Sequence, residues 1–294
     1  MEPLLQPQRH PDGTAPPYPA RLPVGLTHRE PAALQYRATT ALAAGRRQQQ
    51  GQHDQNRRQP APKPDPEPAM KLYLDTADSR HWRLPPSCPR IQGVTTNPSL
   101  IHRAGLPVTL ASYQRLLAAA VDQQLPELML QLPDPDPGSA ADWLDQLAPR
   151  ALEGGLRLTI KLPCHPDWQA LIPVVKARDL PVLLTGLSNP MQLLWAREQQ
   201  ADVVAPYLGR LQAEGRDIES LIGACIALQA DGVKLLAASV KTADLLCRLI
   251  ARGAHAVTLQ PAFAASLATD PVTDAALRAF AADTMAAARP DNRA

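Results

Sequence analysis

Eight short apolar runs, separated by segments with helical periodicity, dominate the chain from Met70 onward. The runs are KLYLDTA (71–77), IQGVTTN (91–97), LMLQLP (128–133), RLTIKLP (157–163), PVLLTGL (181–187), DVVAPYL (202–208), VKLLAAS (233–239) and AVTLQP (256–261). Nearly continuous apolar strands that alternate with amphipathic helices are typical of a parallel sheet whose outer face is covered by those helices.

Eight such units in residues 70–294 match the size of one (β/α)8 barrel, the TIM barrel. The sequence therefore predicts a single α/β domain of this kind over residues 70–294, ending in a C-terminal helix at Val272–Ala288. An open doubly wound sheet is the alternative. It is disfavoured because no strand is followed by a Gly-rich phosphate turn.

Residues 1–69 have a different composition, with dense proline, clustered glutamine and arginine, and few aliphatic residues at a regular period. Proline is excluded from helix interiors and sheet ladders, and the apolar surface is too small to offset chain entropy. We predict a disordered tail for residues 1–69. One alternative is that translation begins at Met70; a transit peptide is disfavoured because the segment contains acidic residues and no serine.

Composition argues against several classes of partner. The formal net charge is only +2, so the whole chain does not attract nucleic acid or an anionic membrane, and no apolar run approaches the roughly 20 residues of a membrane span. Four cysteines without CxxC spacing predict a reduced, cytoplasmic protein. We expect no metal and no cofactor, because histidines and carboxylates do not cluster at ligand spacing and no nucleotide motif occurs.

Polar side chains follow the strands at their C-terminal ends, where the active sites of (β/α)8 barrels lie. These residues are Asp75, Asn97, Gln131, Lys161, Thr185, Tyr207, Arg210, Ser239 and Lys241. The strands that carry them are otherwise apolar. The sequence therefore predicts that they converge on one site.

Lys161 lies inside an apolar strand, between Ile160 and Leu162, in a chain with only six lysines. Burial disfavours the charged form of lysine and so supplies the neutral amine that attacks a ketone. The alternative is a structural ion pair with a barrel carboxylate, for which Asp75 is the candidate partner.

The string GVTTNPSL (93–100) combines a strand end with an Asn-Pro turn. Such a turn leaves Thr95, Thr96 and Asn97 able to form hydrogen bonds with a ligand. Alternatively, Asn97 caps a helix that has Pro98 at its first position. Local physics does not decide between these interpretations.

Five motifs in this order, LYLDT, GVTTNPSL, TIKLP, VAPYLGR and LAASVKT, resemble the transaldolase family. The resemblance covers roughly Met70 to the C-terminus and is greatest to the small-subunit branch, which contains fructose-6-phosphate aldolases. It implies a sugar-phosphate substrate. It also implies a ring-based homo-oligomer in which the C-terminal helix packs on a neighbouring subunit.

The resemblance implies catalytic roles for five residues. Lys161 matches the Schiff-base lysine, Asp75 the aspartate that assists proton transfer, and Tyr207 the acid–base tyrosine of the aldolase branch. Gln131 and Thr185 match the groups that hold a catalytic water.

The resemblance also implies two groups of substrate-binding residues. Thr96 and Asn97 match the strand end that binds the hydroxyls of a dihydroxyacetone unit. Arg210, Ser239 and Lys241 match the cluster that binds the substrate phosphate.

Gln131 separates the two enzyme classes of the family, because the resemblance implies glutamate at this position in transaldolases and glutamine in the aldolase branch. The leading hypothesis is therefore a metal-independent class I aldolase for fructose 6-phosphate, with a transaldolase as the enzyme alternative. A non-catalytic sugar-phosphate-binding barrel is the third hypothesis. It is motivated by two departures from the family pattern, at 164–166 and at Asn189-Pro190.

Overall fold

The computed structural model describes residues 70–287, which form a closed barrel of eight parallel strands in the order β1 to β8. The strands are β1 (Lys71–Asp75), β2 (Gly93–Thr95), β3 (Glu127–Gln131), β4 (Arg157–Pro163), β5 (Val182–Leu187), β6 (Val203–Pro206), β7 (Lys234–Ala237) and β8 (Ala256–Leu259). Pairing of β1 with β8 closes the ring. The predicted (β/α)8 barrel is confirmed, and the open-sheet alternative is wrong.

Helices connect the strands and cover the outside of the barrel. They are α1 (Pro98–Arg103), α2 (Leu110–Asp122), α3 (Pro137–Glu153), α4 (Leu171–Lys176), α5 (Pro190–Glu198), α6 (Leu208–Ala213), α7 (Ile218–Ala227), α8 (Ala243–Ala251), α9 (Pro261–Ser266) and α10 (Pro271–Ala287). The predicted C-terminal helix is present as α10, and Ala288 lies outside the described residues. The predicted tail at 1–69 also lies outside them.

Two hydrophobic clusters follow from the two-residue period of the strands. Outward-facing residues such as Leu74 and Ile160 pack with helix residues such as Leu144 in the larger cluster. The smaller cluster fills the barrel interior with Tyr73, Met129, Leu183, Ala205, Leu236, Ala238 and Ala256. Apolar side chains on both faces explain why the strands read as continuous apolar runs.

Several strands are shorter than the apolar runs that predict them. The run at 91–97 is a strand only from Gly93 to Thr95, and the run at 233–239 only from Lys234 to Ala237. The residues cut off at the C-terminal ends include Asn97 and Ser239. The polar ends of the runs therefore belong to the loops above the barrel.

A polar network lies at the N-terminal end of the barrel. The Tyr73 hydroxyl donates a 2.7 Å hydrogen bond to Oε2 of Glu127, and the Thr159 hydroxyl donates a 2.5 Å bond to Oε1. Nε of Arg157 lies 3.4 Å from that same Oε1. Burial and the neighbouring Glu127 carboxylate raise the pKa of Tyr73. These contacts satisfy a buried carboxylate at the end of the barrel opposite the predicted site.

Candidate active site

A cavity of about 360 Å³ opens at the C-terminal end of the barrel. Eight of the predicted site residues line it: Asp75, Asn97, Lys161, Thr185, Tyr207, Arg210, Ser239 and Lys241. Two others, Thr96 and Gln131, do not line the cavity but lie directly beside it. The carbonyl of Thr96 contacts Lys161, and Gln131 is the β3 partner of Lys161 in the sheet.

Lys161 is the buried cation of the site, with only 5% of its surface exposed. Its Nζ donates a 2.7 Å hydrogen bond to the carbonyl oxygen of Thr96. Burial lowers the pKa of Lys161 to about 8, and the negative charge of Asp75 opposes that effect only in part. At such a pKa roughly a tenth of the amine is neutral at pH 7, so a nucleophile is available without a strong base.

Three buried polar atoms near Lys161 lack a hydrogen-bond partner among the described residues. They are Oγ1 of Thr96, Oε1 of Gln131 and Oγ1 of Thr185. An unpaired buried polar atom destabilises the folded state by about 1–3 kcal/mol, so such atoms are rare in protein interiors and often have a function. Of these three residues only Thr185 lines the cavity, so its hydroxyl is the unpaired group that the site offers to a substrate or an ordered water.

Asn97 caps a helix and also lines the cavity. Its Oδ1 accepts a 2.9 Å hydrogen bond from the backbone N–H of Leu100, and Pro98 is the first residue of α1, so Asn97 caps this helix. The same side chain lines the cavity. Because the cap uses the amide oxygen, the Nδ2 amide group is the part left to donate to a ligand.

A basic corner lies at the β6 and β7 side of the cavity, where Arg210, Ser239 and Lys241 are found together. The guanidinium carbon of Arg210 lies 4.6 Å from the centroid of the Tyr207 ring, which holds the cation against the aromatic face. Proteins commonly bind phosphate groups through donors of these three kinds: a planar guanidinium, an ammonium and a hydroxyl.

The backbone of Ser239 has a φ of 61°, in the left-handed region that side chains other than glycine rarely adopt. Gly209 packs against it so closely that a Cβ at position 209 would overlap the Ser239 carbonyl oxygen. The glycine of VAPYLGR therefore lets α6 approach the strained loop after β7. This contact fixes Ser239 next to Arg210.

Further residues that the sequence reasoning missed also line the cavity: Ser99, Arg103, Thr258, Gln260 and Phe263. Arg103 and Ser99 lie one helical turn apart on α1, and Nε of Arg103 donates to the Ser99 carbonyl at 3.3 Å. The signal that could have revealed this pair is the four-residue spacing after GVTTNP. Thr258 faces inward on β8, which strand alternation could have indicated.

The two departures from the family pattern have local structural roles. His165 is exposed and caps the short 3₁₀ helix Pro166–Trp168. Asn189 caps α5 in a reciprocal capping box with Gln192. Nε2 of Gln192 also donates a 2.9 Å hydrogen bond to the carbonyl of Cys164, which joins the two altered loops.

In residues 70–287 no three His, Cys, Asp or Glu side chains form a group that could hold a metal ion. No helix in that part of the chain is long and apolar enough to cross a membrane.

The fold and the cavity define a (β/α)8 barrel that has a buried, readily deprotonated lysine at its C-terminal mouth and a basic corner beside it. The family model described as Transaldolase/Fructose-6-phosphate aldolase matches residues 146–292, half of the chain. The chain belongs to this family.

Curated relatives match about three quarters of the chain. The chain is 28% identical over 217 residues to a protein from Chelativorans sp. (strain BNC1). This alignment covers 73% of the chain and 96% of the relative. The chain is also 27% identical over 217 residues to a protein from Geotalea daltonii, and this alignment covers 73% of the chain and 97% of the relative. Both relatives carry the name "Probable transaldolase". Their size fits the small-subunit branch predicted from the motifs.

Proposed function

We propose that the protein is a class I aldolase that cleaves or forms fructose 6-phosphate through a Schiff base on Lys161, with dihydroxyacetone and glyceraldehyde 3-phosphate as the cleavage products. The observation that carries the proposal is the buried Lys161 amine, whose pKa is lowered to about 8 at the base of a cavity with a basic corner. Membership of the family supports the reaction class.

In this reaction Nζ of Lys161 attacks C2 of the ketose, and loss of water gives a protonated imine. A base removes the proton of the C4 hydroxyl, the C3–C4 bond breaks, and its electron pair moves through C2 to the nitrogen to form an enamine. Glyceraldehyde 3-phosphate leaves. Protonation of C3 and hydrolysis of the imine release dihydroxyacetone and restore the amine.

The remaining roles follow from what each group can donate or accept. Tyr207, whose ring faces the Arg210 guanidinium, exchanges the C4 hydroxyl proton. Asp75 assists proton transfer at the imine. Gln131 and Thr185, each with a buried atom that has no partner among the described residues, hold the water that enters and leaves C2.

The substrate ends are assigned by the same reasoning. Asn97, together with Thr96, binds the hydroxyls of the dihydroxyacetone unit, with the free amide group of Asn97 as a donor. Arg210, Ser239 and Lys241 bind the phosphate at the other end.

A transaldolase is the second candidate, supported by the names of the curated relatives. In that reaction the enamine attacks an acceptor aldose phosphate before it is protonated. Gln131 favours the aldolase, because an amide is a weaker base toward bound water than a carboxylate. Release of free dihydroxyacetone from fructose 6-phosphate without an acceptor supports the aldolase, whereas turnover only with an acceptor supports the transaldolase.

Borohydride trapping tests both enzyme candidates. Wild-type protein is incubated with fructose 6-phosphate or dihydroxyacetone, reduced, and analysed by intact mass and peptide mapping. We expect an adduct of dihydroxyacetone size on the Lys161 peptide. The adduct should be absent in Lys161→Arg and unchanged in Lys176→Arg, whose lysine instead donates to the Gln199 carbonyl outside the cavity. Absence of an adduct in the wild type would refute both candidates and favour a sugar-phosphate-binding barrel.

We also propose a homo-oligomer assembled through α10. Four large apolar side chains of this helix are exposed: Val272, Leu277, Phe280 and Met285. Burial of these side chains against another subunit would remove them from water. Light scattering should give a mass above that of one subunit, and a monomer mass would refute the assembly.

A last proposal concerns the cellular location of the protein. The sparse cysteines support a cytoplasmic location.

A further inference from the structure

We propose that Thr258 is a positioning residue that orients the carboxylate of Asp75 through the hydroxyl of Thr95. This inference rests on the proposed Schiff-base function, in which Asp75 assists proton transfer. Thr258 lines the cavity and is 3% exposed, while Thr95 is fully buried.

The contacts form a continuous chain. Oγ1 of Thr95 donates a 2.9 Å hydrogen bond to Oδ1 of Asp75, and Oγ1 of Thr258 lies 3.0 Å from Oγ1 of Thr95. The three residues stand on three adjacent strands, β8, β1 and β2. Asp75 pairs with Thr95 in the sheet, whereas Thr258 pairs with Tyr73, two residues before Asp75. Thr258 therefore supports the network from one layer below the carboxylate.

The direction of the hydrogen bonds follows from the number of protons. Each threonine hydroxyl has one proton to donate and can accept at its oxygen. Thr95 gives its proton to the Asp75 carboxylate, so the bond between the two hydroxyls must be donated by Thr258. The chain then runs from Thr258 to Thr95 to Asp75. Each bond polarises the next one, which strengthens the bond to the carboxylate.

Without Thr258, the Thr95 hydroxyl would lose the donor that polarises it and helps to fix its rotation. Asp75 would then be held less firmly relative to Lys161, whose amine responds to its charge. The resulting loss should fall on the chemical steps and not on substrate binding, because neither threonine belongs to the residues proposed to bind substrate. Small errors in the placement of a catalytic group are costly to the rate.

A purely structural role is the competing explanation, in which the two hydroxyls only satisfy each other in the barrel interior. That role predicts a loss of stability without a selective loss of kcat. It also predicts that the methyl group of Thr258 matters as much as its hydroxyl.

The test compares Thr258→Val, which keeps the shape and removes the hydroxyl, with Thr258→Ser, which keeps the hydroxyl. For turnover of fructose 6-phosphate we expect kcat to fall about tenfold in the valine variant, with KM within about twofold of the wild type. The serine variant should stay within about twofold of the wild-type kcat. Thr258→Ala is a second variant without the hydroxyl and should show the same fall in kcat. It replaces Thr258→Val in the comparison if the valine variant fails to fold.

A double-mutant cycle tests whether Thr258 acts through Thr95. The double variant Thr95→Val/Thr258→Val should be no slower than Thr95→Val alone, because Thr258 has no other route to Asp75. Thr159→Val is the matched control: it removes a buried barrel hydroxyl that donates to Glu127 at the opposite end. We expect it to lower the urea midpoint and leave kcat unchanged.

Three outcomes would each overturn the inference. The first is an unchanged kcat in both Thr258→Val and Thr258→Ala, and the second is an equal fall in kcat in Thr258→Ser and Thr258→Val. The third is a kcat of the double variant that shows the two single losses added together. Borohydride trapping of the wild type is done in parallel. If the wild type forms the Lys161 adduct while Thr258→Val and Thr258→Ala keep the wild-type kcat, only the proposed role of Thr258 is refuted. If the wild type forms no adduct, the proposed function itself fails.

Discussion

Replacement of Lys161 by methionine should change how the stability of the protein depends on pH. The lysine is enclosed by the barrel, and burial lowers its pKa from the usual 10.5 to about 8. Methionine has a similar length and no charge, so it removes the buried ammonium without opening a large cavity. The comparison therefore isolates the cost of burying the charge.

The sign and size follow from proton linkage. Below pH 8 the lysine is protonated in both the folded and the unfolded chain, so the folded state bears the full cost of the buried charge. Between pH 8 and 10.5 the folded chain loses its proton first, and wild-type stability rises with pH. The pKa displacement corresponds to about 3 kcal/mol in total, of which about 2 kcal/mol is gained between pH 7 and pH 9.5.

Urea unfolding of the wild type and Lys161→Met at pH 7 and pH 9.5 measures this effect. Relative to the variant, the wild type should gain about 2 kcal/mol of unfolding free energy between the two pH values. The hydrogen bond from Nζ to the Thr96 carbonyl is lost at both pH values and largely cancels in the comparison. A difference that is independent of pH would refute the lowered pKa, and with it the source of the neutral amine.

Lys176→Met provides the matched control for this measurement. Lys176 also donates to a backbone carbonyl, that of Gln199 at 2.8 Å, but its side chain is only partly buried on the outside of the barrel. The stability difference between the wild type and this variant should not change between pH 7 and pH 9.5. An equal change in both variants would show that general titration of the protein is responsible.

Three further substitutions test other parts of the structure. Gly209→Ala should raise KM for phosphorylated substrates at least several-fold, because the new Cβ would displace the Ser239 carbonyl at the basic corner; steady-state kinetics checks this. Arg103→Met should raise KM for phosphorylated substrates more than for unphosphorylated ones, because it removes a cation from the cavity. Tyr73→Phe should lower the free energy of unfolding by about 1–3 kcal/mol in urea titrations, because the buried Glu127 carboxylate loses a donor.

Two controls accompany these variants. Gly223→Ala adds a Cβ in open space on α7, and Arg150→Met removes an exposed arginine from the last turn of α3, outside the cavity. Neither should change KM. Wild-type KM in Gly209→Ala would contradict the packing argument, and an equal effect of Arg103→Met on phosphorylated and unphosphorylated substrates would contradict the charge argument. Unchanged stability of Tyr73→Phe would show that Glu127 does not depend on that bond.

The barrel could be predicted from the sequence because its strands are buried on both faces, so that each one appears as an unbroken apolar run. Lys161 could be predicted to be buried for the same reason, because it lies between two aliphatic residues inside such a run. Its Schiff-base role was implied only by the resemblance to the family. The positions of Asn97 and Ser239 followed from the rule that strand ends converge. These features depend on local sequence and on one topological rule.

The contacts between loops could not be predicted in this way. Arg103 reaches the cavity from α1; its spacing from Ser99 indicates that the two residues share one side of the helix, but not that this side faces the cavity. Thr258 and Thr95 meet across β1 from strands that are far apart in the chain, at a distance fixed only by barrel closure. The close packing of Gly209 against the left-handed backbone of Ser239 is likewise a contact between two separate segments of the chain.

Gln192 shows why the departures from the family pattern do not by themselves indicate lost catalysis. In the sequence, the segments at 164–166 and 189–190 are two separate deviations near the site. In the structure, Gln192 joins them, since its Oε1 accepts from the backbone of Ser188 and Asn189 while its Nε2 donates to the Cys164 carbonyl. Backbone groups at the ends of β4 and β5 are thereby satisfied by one side chain outside the cavity lining. The altered loops thus form a connected support beside Lys161 and Thr185, so the two departures have a structural reason and do not by themselves favour the binding barrel.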